Sequence, residues 1–242
     1  MRTDRFILRH GTPRDAPRIR RFFVENGHRF NADRGDDVML EAIQNRDVFL
    51  VEREADGEIV GVSALFHYQD GAYAEAGASR ITGPIGGFGI HMLMHYVRSC
   101  HLCLNNSSVS GYFGIVASDN EPSKKNISQA GFERWSTPDP AMLQERESLL
   151  GRSLDLSQKL LYKLPSSVFV DHACKLLEVA RRNGWDTDGE PATSPVVTMT
   201  RPSREGGDDE ALELVLKVEP ITYHWRDLVR LCNQEPGLYQ SA

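Results

Sequence analysis

The sequence predicts an α/β protein in which helices pack beside an antiparallel meander of strands. Three observations support this class. Short runs of alternating apolar and polar residues are typical of half-buried strands, and Asp-Gly at residues 56–57 joins two of them as a hairpin. Longer runs with helical spacing lie between the strands. A glycine-rich turn at residues 83–89 (GPIGGFG) connects a strand to a helix.

The first third of the chain predicts a strand, two helices and then the meander. Residues 6–9 are an apolar opening strand, and Thr12 followed by Pro13 marks the start of a helix that ends near Asn26. A second helix fits residues 36–44. The three strands of the meander are predicted at residues 48–53, 58–67 and 73–82.

Helices and strands alternate after the turn. The helix over residues 90–104 has an apolar stripe that we expect to be buried, and three side chains on its more polar side: His91, His95 and Arg98. The following elements are predicted as a strand at 111–117, a helix at 119–131, a strand at 132–136, a helix at 141–150 and a strand at 160–164. From residue 165 the pattern changes to a helix at 166–183, a hairpin of strands at 196–200 and 212–218, and a helix at 223–232.

Composition narrows the class of protein. The 242 residues carry a formal net charge of −6, whereas a dedicated nucleic-acid binder usually shows a basic face. An acidic surface suits a cationic substrate better. The chain has neither a run of roughly 18 apolar residues nor an apolar signal segment, so we expect a cytoplasmic protein with no membrane partner. Four unevenly spread cysteines do not form a disulfide framework and are expected to be reduced.

The turn at residues 83–89 predicts a phosphate ligand. The first N–H groups of a helix have no backbone partner, and the helix dipole adds partial positive charge there. Glycines let a pyrophosphate approach this backbone closely. Other glycine motifs fit less well, because the third glycine of a dinucleotide fingerprint is missing after residues 87–89 and no Gly-Lys-Ser/Thr follows.

A zinc site is an alternative use of the helix after this turn. Two histidines lie four residues apart, and two cysteines follow with a gap of two residues, which are ligand types suited to zinc. The helix would have to end near Ser99 for all four side chains to converge. We predict no metal, and the four residues are His91, His95, Cys100 and Cys103.

Two motifs and the order of elements resemble the GNAT superfamily of acyl-CoA-dependent N-acyltransferases. Residues 84–89 match both small positions of the phosphate turn Gln/Arg-x-x-Gly-x-Gly/Ala, with Pro84 in place of Gln or Arg. The second motif is a strand, an Asn and a helix that closes in Gly-Phe, here Asn120 through residues 131–132. The resemblance covers roughly residues 5–164.

The resemblance implies a fold and a function. The fold would be a mixed, mostly antiparallel central sheet flanked by helices. The resemblance does not cover the chain after residue 164, where the sequence pattern alone predicts a C-terminal α-β-β-α extension. The function would be transfer of an acetyl group from acetyl-CoA to a primary amine on a small molecule or a protein. A catalytically inactive CoA-binding or interaction module and an enzyme for a longer or carboxylated acyl group remain alternatives. We expect a GNAT-like domain at 1–164 and an extension at 165–242 that covers the acceptor site or contacts a second copy in a homodimer.

The resemblance also implies site residues for the cofactor. The turn would hold the CoA pyrophosphate, Asn120 would hydrogen-bond the pantetheine arm or only cap its helix, and Lys124 would meet the 3′-phosphate. The predicted cofactor-binding residues are Ile85, Gly86, Gly87, Phe88, Gly89, Ile90, Asn120, Ser123 and Lys124.

For catalysis the resemblance implies a carboxylate base. At the position of the expected proton donor, this chain differs from the family pattern. Glu75, on the strand that enters the turn, is the predicted general base, and we expect shielding from water to raise its pKa. Family members often place a proton-donating Tyr four residues before the Gly that ends the later helix, where this chain has Ile127. Tyr112 and Ser118 are possible substitutes that the sequence does not distinguish.

Overall fold

The computed structural model describes residues 4–27, 34–105, 109–185, 194–203 and 208–233. The strands are β1 Asp4–His10, β2 Val48–Arg53, β3 Ile59–Tyr68, β4 Tyr73–Ile81, β5 Gly111–Ala117, β6 Glu133–Arg134, β7 Lys159–Leu164, β8 Val196–Arg201 and β9 Glu210–Lys217. They form one sheet in the order β6-β7-β5-β4-β3-β2-β1-β9-β8. The mixed, mostly antiparallel sheet predicted from the sequence is therefore confirmed.

Helices flank both faces of this sheet. They are α1 Ala16–Asn26, α2 Asp36–Gln44, α3 Ile90–Asn105, α4 Glu121–Gln129, α5 Pro140–Leu150, α6 Ser166–Arg182, α7 Glu219–Thr222 and α8 Trp225–Asn233. Single 3₁₀ turns precede α1 and α3. The bounds of α2 are those predicted, whereas β6 is shorter than the predicted 132–136 strand. No helix in the described part of the chain is long and apolar enough to cross a membrane.

Two pairs of strands run parallel and decide how the chain is connected. β4 and β5 are parallel, and α3 forms the long crossover that parallel neighbours need. β9 is parallel to β1 and antiparallel to β8, so the C-terminal hairpin continues the same sheet. The predicted division of the chain after residue 164 stays a prediction. Strands from both sides of that residue, β1 and β9, are hydrogen-bonded neighbours in the same sheet.

Alternation along the strands sends side chains to two separate cores. On β3, Leu65 belongs to the cluster that packs with α3, α4, α6 and α8. Its neighbour Phe66 belongs to the cluster that packs with α1, α2 and α5. Because successive strand residues point to opposite faces, β2, β3 and β5 each contribute buried residues to both cores.

β4 and β5 separate part-way along their length. Their paired register ends at Ala76 opposite Gly114. Just beyond this point the pairing of β3 with β4 shifts register, since Val62 pairs with Arg80 but Ala64 pairs with Gly77. This leaves one extra residue in β4, a bulge that bends the strand, and Ala78 in it has a φ of 47°. The bend opens a space between two parallel strands.

We expect Leu214→Ala to destabilise the whole protein by about 2 to 5 kcal/mol. Leu214 is fully buried on β9, which is shared between the C-terminal hairpin and β1. Chemical denaturation followed by circular dichroism and by tryptophan fluorescence should give one coincident transition. The control is Tyr223→Ala at a 74% exposed side chain, with an effect under about 0.5 kcal/mol. Two separate transitions in Leu214→Ala would contradict the single sheet.

Candidate functional site

The space between β4 and β5 is a cleft of about 610 Å³. Its walls are the separating halves of the two strands, the first turns of α3 and α4, and residues 152–155 after α5. Glu75, Asn120 and Ser123, which the sequence singled out, all line it. The cleft therefore lies between the parts of β4 and β5 that are not hydrogen-bonded to each other, and an extended ligand can lie between these two strand edges.

The lining of the cleft is cationic although the protein is acidic. Two carboxylates, Glu75 and Asp155, are outnumbered by six cationic side chains from β4, β7, α3, α5 and the loops beside them. These are Arg34, Arg80, Arg98, Arg146, Arg152 and Lys159. The net charge of −6 therefore lies elsewhere on the molecule, and the cleft favours an anionic ligand.

The predicted phosphate turn lies between β4 and α3. Three glycines have positive φ, namely Gly83, Gly87 and Gly89. The side chains of Ile85, Phe88 and Ile90 are buried in the core, which fixes the backbone of the turn. Within the described chain, the N–H groups from Gly87 through Ile90 donate no backbone hydrogen bond. The turn has the exposed donors that an anion requires, although the cleft wall begins only at the next residue, His91.

Arg201 on β8 covers this turn. Its guanidinium carbon lies 4.4 Å from the centre of the Phe88 ring, and the guanidinium donates to the carbonyl oxygen of Gly86. Glu210 on the neighbouring strand pairs with Arg201. The C-terminal hairpin thus brings a cation to the turn in which Pro84 replaces the usual Gln or Arg.

Asn120, Ser123 and Lys124 lie at the start of α4. The Asn120 side-chain oxygen accepts a hydrogen bond from the Ser123 N–H at 3.3 Å, so Asn120 caps the helix while lining the cleft. Lys124 does not line the cleft and instead donates to the Ser118 carbonyl at 2.8 Å and pairs with Glu121. Its predicted contact with a 3′-phosphate stays a prediction and would require this ion pair to open.

Glu75 lies in a buried polar cluster on the α1, α2 and α5 side of the sheet. It is 2% exposed and accepts hydrogen bonds from Arg146 Nε at 2.8 Å and from the Tyr68 hydroxyl at 2.8 Å. Arg34, just before α2, donates to the other carboxylate oxygen, and its guanidinium lies 4.1 Å from the centre of the Phe66 ring. The two arginines and the carboxylate leave the cluster with one net positive charge.

The prediction that shielding raises the pKa of Glu75 is wrong. Burial alone would raise it, but the positive charges of Arg34 and Arg146 and their hydrogen bonds outweigh burial and lower the pKa to about 2. A carboxylate with so low a pKa is a weak base at neutral pH. The base role of Glu75 stays a prediction, and its environment favours a role in holding the two arginines.

The chain is similar in fold to many solved acetyltransferase structures. An N-acetyltransferase from Staphylococcus aureus Mu50 has a TM-score of 0.48 and 10% identity, covering 66% of this chain and 97% of that one. For an acetyltransferase from Agrobacterium tumefaciens C58 the TM-score is 0.47 at 16% identity, over 68% and 93% of the two chains.

A third similar structure was solved with a ligand. It is the Mycobacterium tuberculosis protein Rv2747 in complex with CoA and NLQ, with a TM-score of 0.46 and 16% identity over 65% of this chain and 97% of that one. No protein-family model matches the sequence, and no curated protein matches it. The chemistry of this chain must therefore be argued from its own residues.

Ile127, at the position of the expected proton donor, forms part of the cleft wall. It is buried, and a Cβ added at Gly114 would lie only 2.5 Å from its Cδ1, so the two residues pack tightly across the opening of the sheet. Neither possible substitute lines the cleft within the described residues. Tyr112 is fully buried, and Ser118 uses its carbonyl to bind Lys124.

The four residues of the zinc alternative do not form a ligand group in the described chain. α3 continues to Asn105, whereas the zinc arrangement needs it to end near Ser99. The described residues contain one other group with suitable ligand atoms: His10, His101 and Glu219. Hydrogen bonds already engage this group, because His10 contacts the Arg46 carbonyl at 2.6 Å through Nδ1 and the Glu219 N–H at 3.0 Å through Nε2.

Sequence reasoning missed the arginines that dominate the site. Arg34 and Arg146 lie 41 and 71 residues from Glu75, so only the folded chain brings them together. Arg98 was expected on the more polar side of α3, but it and His95 are buried. Helical spacing predicted which side of α3 carries Arg98. It could not show that β3 and β4 pack over that side and bury the guanidinium.

We expect Glu75→Gln to reduce the free energy of unfolding by roughly 3 to 5 kcal/mol, because Arg34 and Arg146 would be left buried without a counter-charge. Thermal or chemical denaturation at pH 7 measures this. The control is Glu58→Gln, whose exposed ion pair with Arg53 is worth at most about 1 kcal/mol. Equal effects of the two substitutions would contradict the cluster as described.

The stability of wild type and of Glu75→Gln should depend differently on pH. The pKa of Glu75 is about 2 in the folded protein and near 4.5 when unperturbed, so its contribution to stability is present above about pH 4.5 and is lost as the pH falls toward 2. Over that window wild type should lose more stability than Glu75→Gln. Parallel curves for the two proteins would show that Glu75 does not carry this linkage.

Proposed function

We propose that the protein is an acyl-CoA-dependent N-acyltransferase that transfers an acyl group from a CoA thioester to a primary amine. The observation that carries the proposal is the continuity of three features: the glycine turn with free amides, the cationic cleft between β4 and β5, and the Asn120 cap in its wall. Their order matches an extended ligand with phosphates at one end and an amide-containing arm at the other.

In this proposal the chain binds the thioester through backbone groups. The amides of residues 87–90 would accept the pyrophosphate, helped by the dipole of α3 and by the nearby charge of Arg201. Beyond Ala76, the edge of β4 that faces the cleft has no partner strand on that side, so its backbone groups are available to the amides of the pantetheine arm. The contact of β8 with the turn supports a role for the extension on the cofactor side.

Transfer requires a neutral amine beside the thioester carbonyl. The amine nitrogen forms a C–N bond as the C–S bond breaks, the amine proton passes to a base or to water, and the CoA thiolate departs. Ile127 cannot protonate that thiolate, and the low pKa of Glu75 makes it a poor proton acceptor. Proton transfer through water is the route that these residues leave open.

A non-catalytic CoA-binding module is the second candidate. Two observations favour it: the hydrocarbon at the position of the expected acid, and a predicted base whose carboxylate is fully engaged by Arg34, Arg146 and Tyr68. Release of free thiol from the thioester in the presence of an amine panel separates the two candidates. Binding without any amine-dependent release would favour the module.

Gly87→Ala should weaken acetyl-CoA binding by at least about tenfold, because its φ of 87° is strained for Ala and the turn amides would be reoriented. Isothermal titration calorimetry of acetyl-CoA into wild type and variant measures the change.

The matched control is Gly184→Ala. Gly184 also has a positive φ, 80°, lies after α6, and has no atom within 4 Å of an added Cβ. Both variants carry the same backbone cost, but only Gly87→Ala should lose affinity. Equal affinities in all three proteins would contradict a pyrophosphate at the turn, and absence of binding in wild type would overturn the proposed function.

A further inference from the structure

Arg98 on α3 is a buried cation that no carboxylate of the described chain accompanies. It is 2% exposed. Its guanidinium donates to Ser63 Oγ at 2.6 Å, Ser79 Oγ at 3.0 Å and the Met94 carbonyl at 3.3 Å, and it contacts His95 Nδ1 at 3.0 Å. None of these partners carries a negative charge.

The environment of Arg98 differs from that of the other buried arginines near the cleft. Arg34 and Arg146 share the carboxylate of Glu75. Burial and the nearby Arg98 lower the pKa of His95 well below its usual value, so this ring is neutral and gives no compensation. An unpaired buried charge costs several kcal/mol, and a guanidinium avoids that cost by binding an anion rather than by losing its proton.

The position of Arg98 indicates where that anion would lie. Arg98 lines the cleft together with Ser79 and His95. It follows Ile90 by eight residues, which places it about 12 Å along α3 from the glycine turn. Ser79 follows the bulge at Ala78 and lies three residues beyond Ala76, the last residue of β4 that pairs with β5. Arg98 therefore lies toward the closed end of the cleft, away from the proposed pyrophosphate site.

A CoA thioester bound with its phosphates at the turn would direct its acyl group toward this closed end. An acetyl group carries no charge and cannot compensate Arg98. We propose that the acyl donor is the CoA thioester of a short dicarboxylic acid, such as succinyl-CoA, whose free carboxylate pairs with Arg98. This inference rests on the proposed function and narrows its acyl donor.

The chain has donors left for that carboxylate. A guanidinium has five N–H groups, and the four contacts of Arg98 leave one on Nη2, with the neutral Tyr112 hydroxyl as a further neighbour of the guanidinium. The hydroxyls of Ser63 and Ser79 both accept from Arg98 and are hydrogen-bonded to each other at 2.7 Å, so one of the two protons is already engaged and at most one remains to donate. In the transfer step the amine displaces the CoA thiolate at the thioester carbonyl, and the distal carboxylate stays unchanged in the product amide.

The test compares succinyl-CoA with acetyl-CoA by isothermal titration calorimetry on the full chain. Wild type should bind succinyl-CoA at least about tenfold more tightly, as expected for a charge-assisted hydrogen bond. Arg98→Met should abolish the difference while keeping acetyl-CoA affinity within about twofold. The melting temperature should not fall, because an apolar side chain replaces an uncompensated charge. Ser79→Ala, which keeps the cation, should reduce the preference in part.

Arg80→Met is the matched control, because Arg80 lines the same cleft nearer to the turn and its charge influences His91. It should weaken both thioesters equally. Equal affinity of wild type for the two thioesters would overturn the inference and leave the proposed function standing. Equal weakening of both thioesters by Arg98→Met would also overturn it, since Arg98 would then contact the shared CoA moiety. Failure of wild type to bind either would overturn both.

Discussion

The arrangement of the site depends on the point at which β4 and β5 stop pairing. Their backbone hydrogen bonding ends after Ala76 and Gly114, and the two strands separate there. One extra residue in β4, with Ala78 at positive φ, bends this strand while β3 still holds it on the other side. The unpaired backbone edges would be costly if they were simply buried. As walls of a cleft they remain available to a ligand, and α3 and α4 then begin at its rim.

The cleft and its rim contain three regions that differ in how far their positive charge is neutralised. Near the rim, the amides of the turn and Arg201 favour phosphate. On the α1, α2 and α5 side of the sheet, Glu75 neutralises only part of the charge of Arg34 and Arg146. At the closed end, Arg98 has no counter-charge among the described residues. A protein with a net negative charge thus keeps its binding cleft positive, because most of its acidic residues lie outside the cleft and the two that line it are outnumbered by cations.

Local patterns predicted the elements well because local forces decide them. The hairpin of β2 and β3, the bounds of α2 and the cap at Asn120 all depend on neighbours a few residues away. Glu75 was predicted on the strand that enters the turn, where it lies, but the expected direction of its pKa shift was wrong, since Arg34 and Arg146 lower the pKa. Arg201 lies 115 residues from the carbonyl of Gly86 that it binds, and no local pattern links such residues.

The central claim is that CoA lies along the cleft with its pyrophosphate on the turn. Hydrogen exchange of the full chain, measured by mass spectrometry with and without saturating CoA, tests it directly. We expect slower exchange for the amides of residues 87–91 and for the unpaired edge of β4 at residues 78–81, with little change in α1 and β2. Measured binding of CoA with unchanged exchange in both segments, or with protection confined to another part of the molecule, would contradict it.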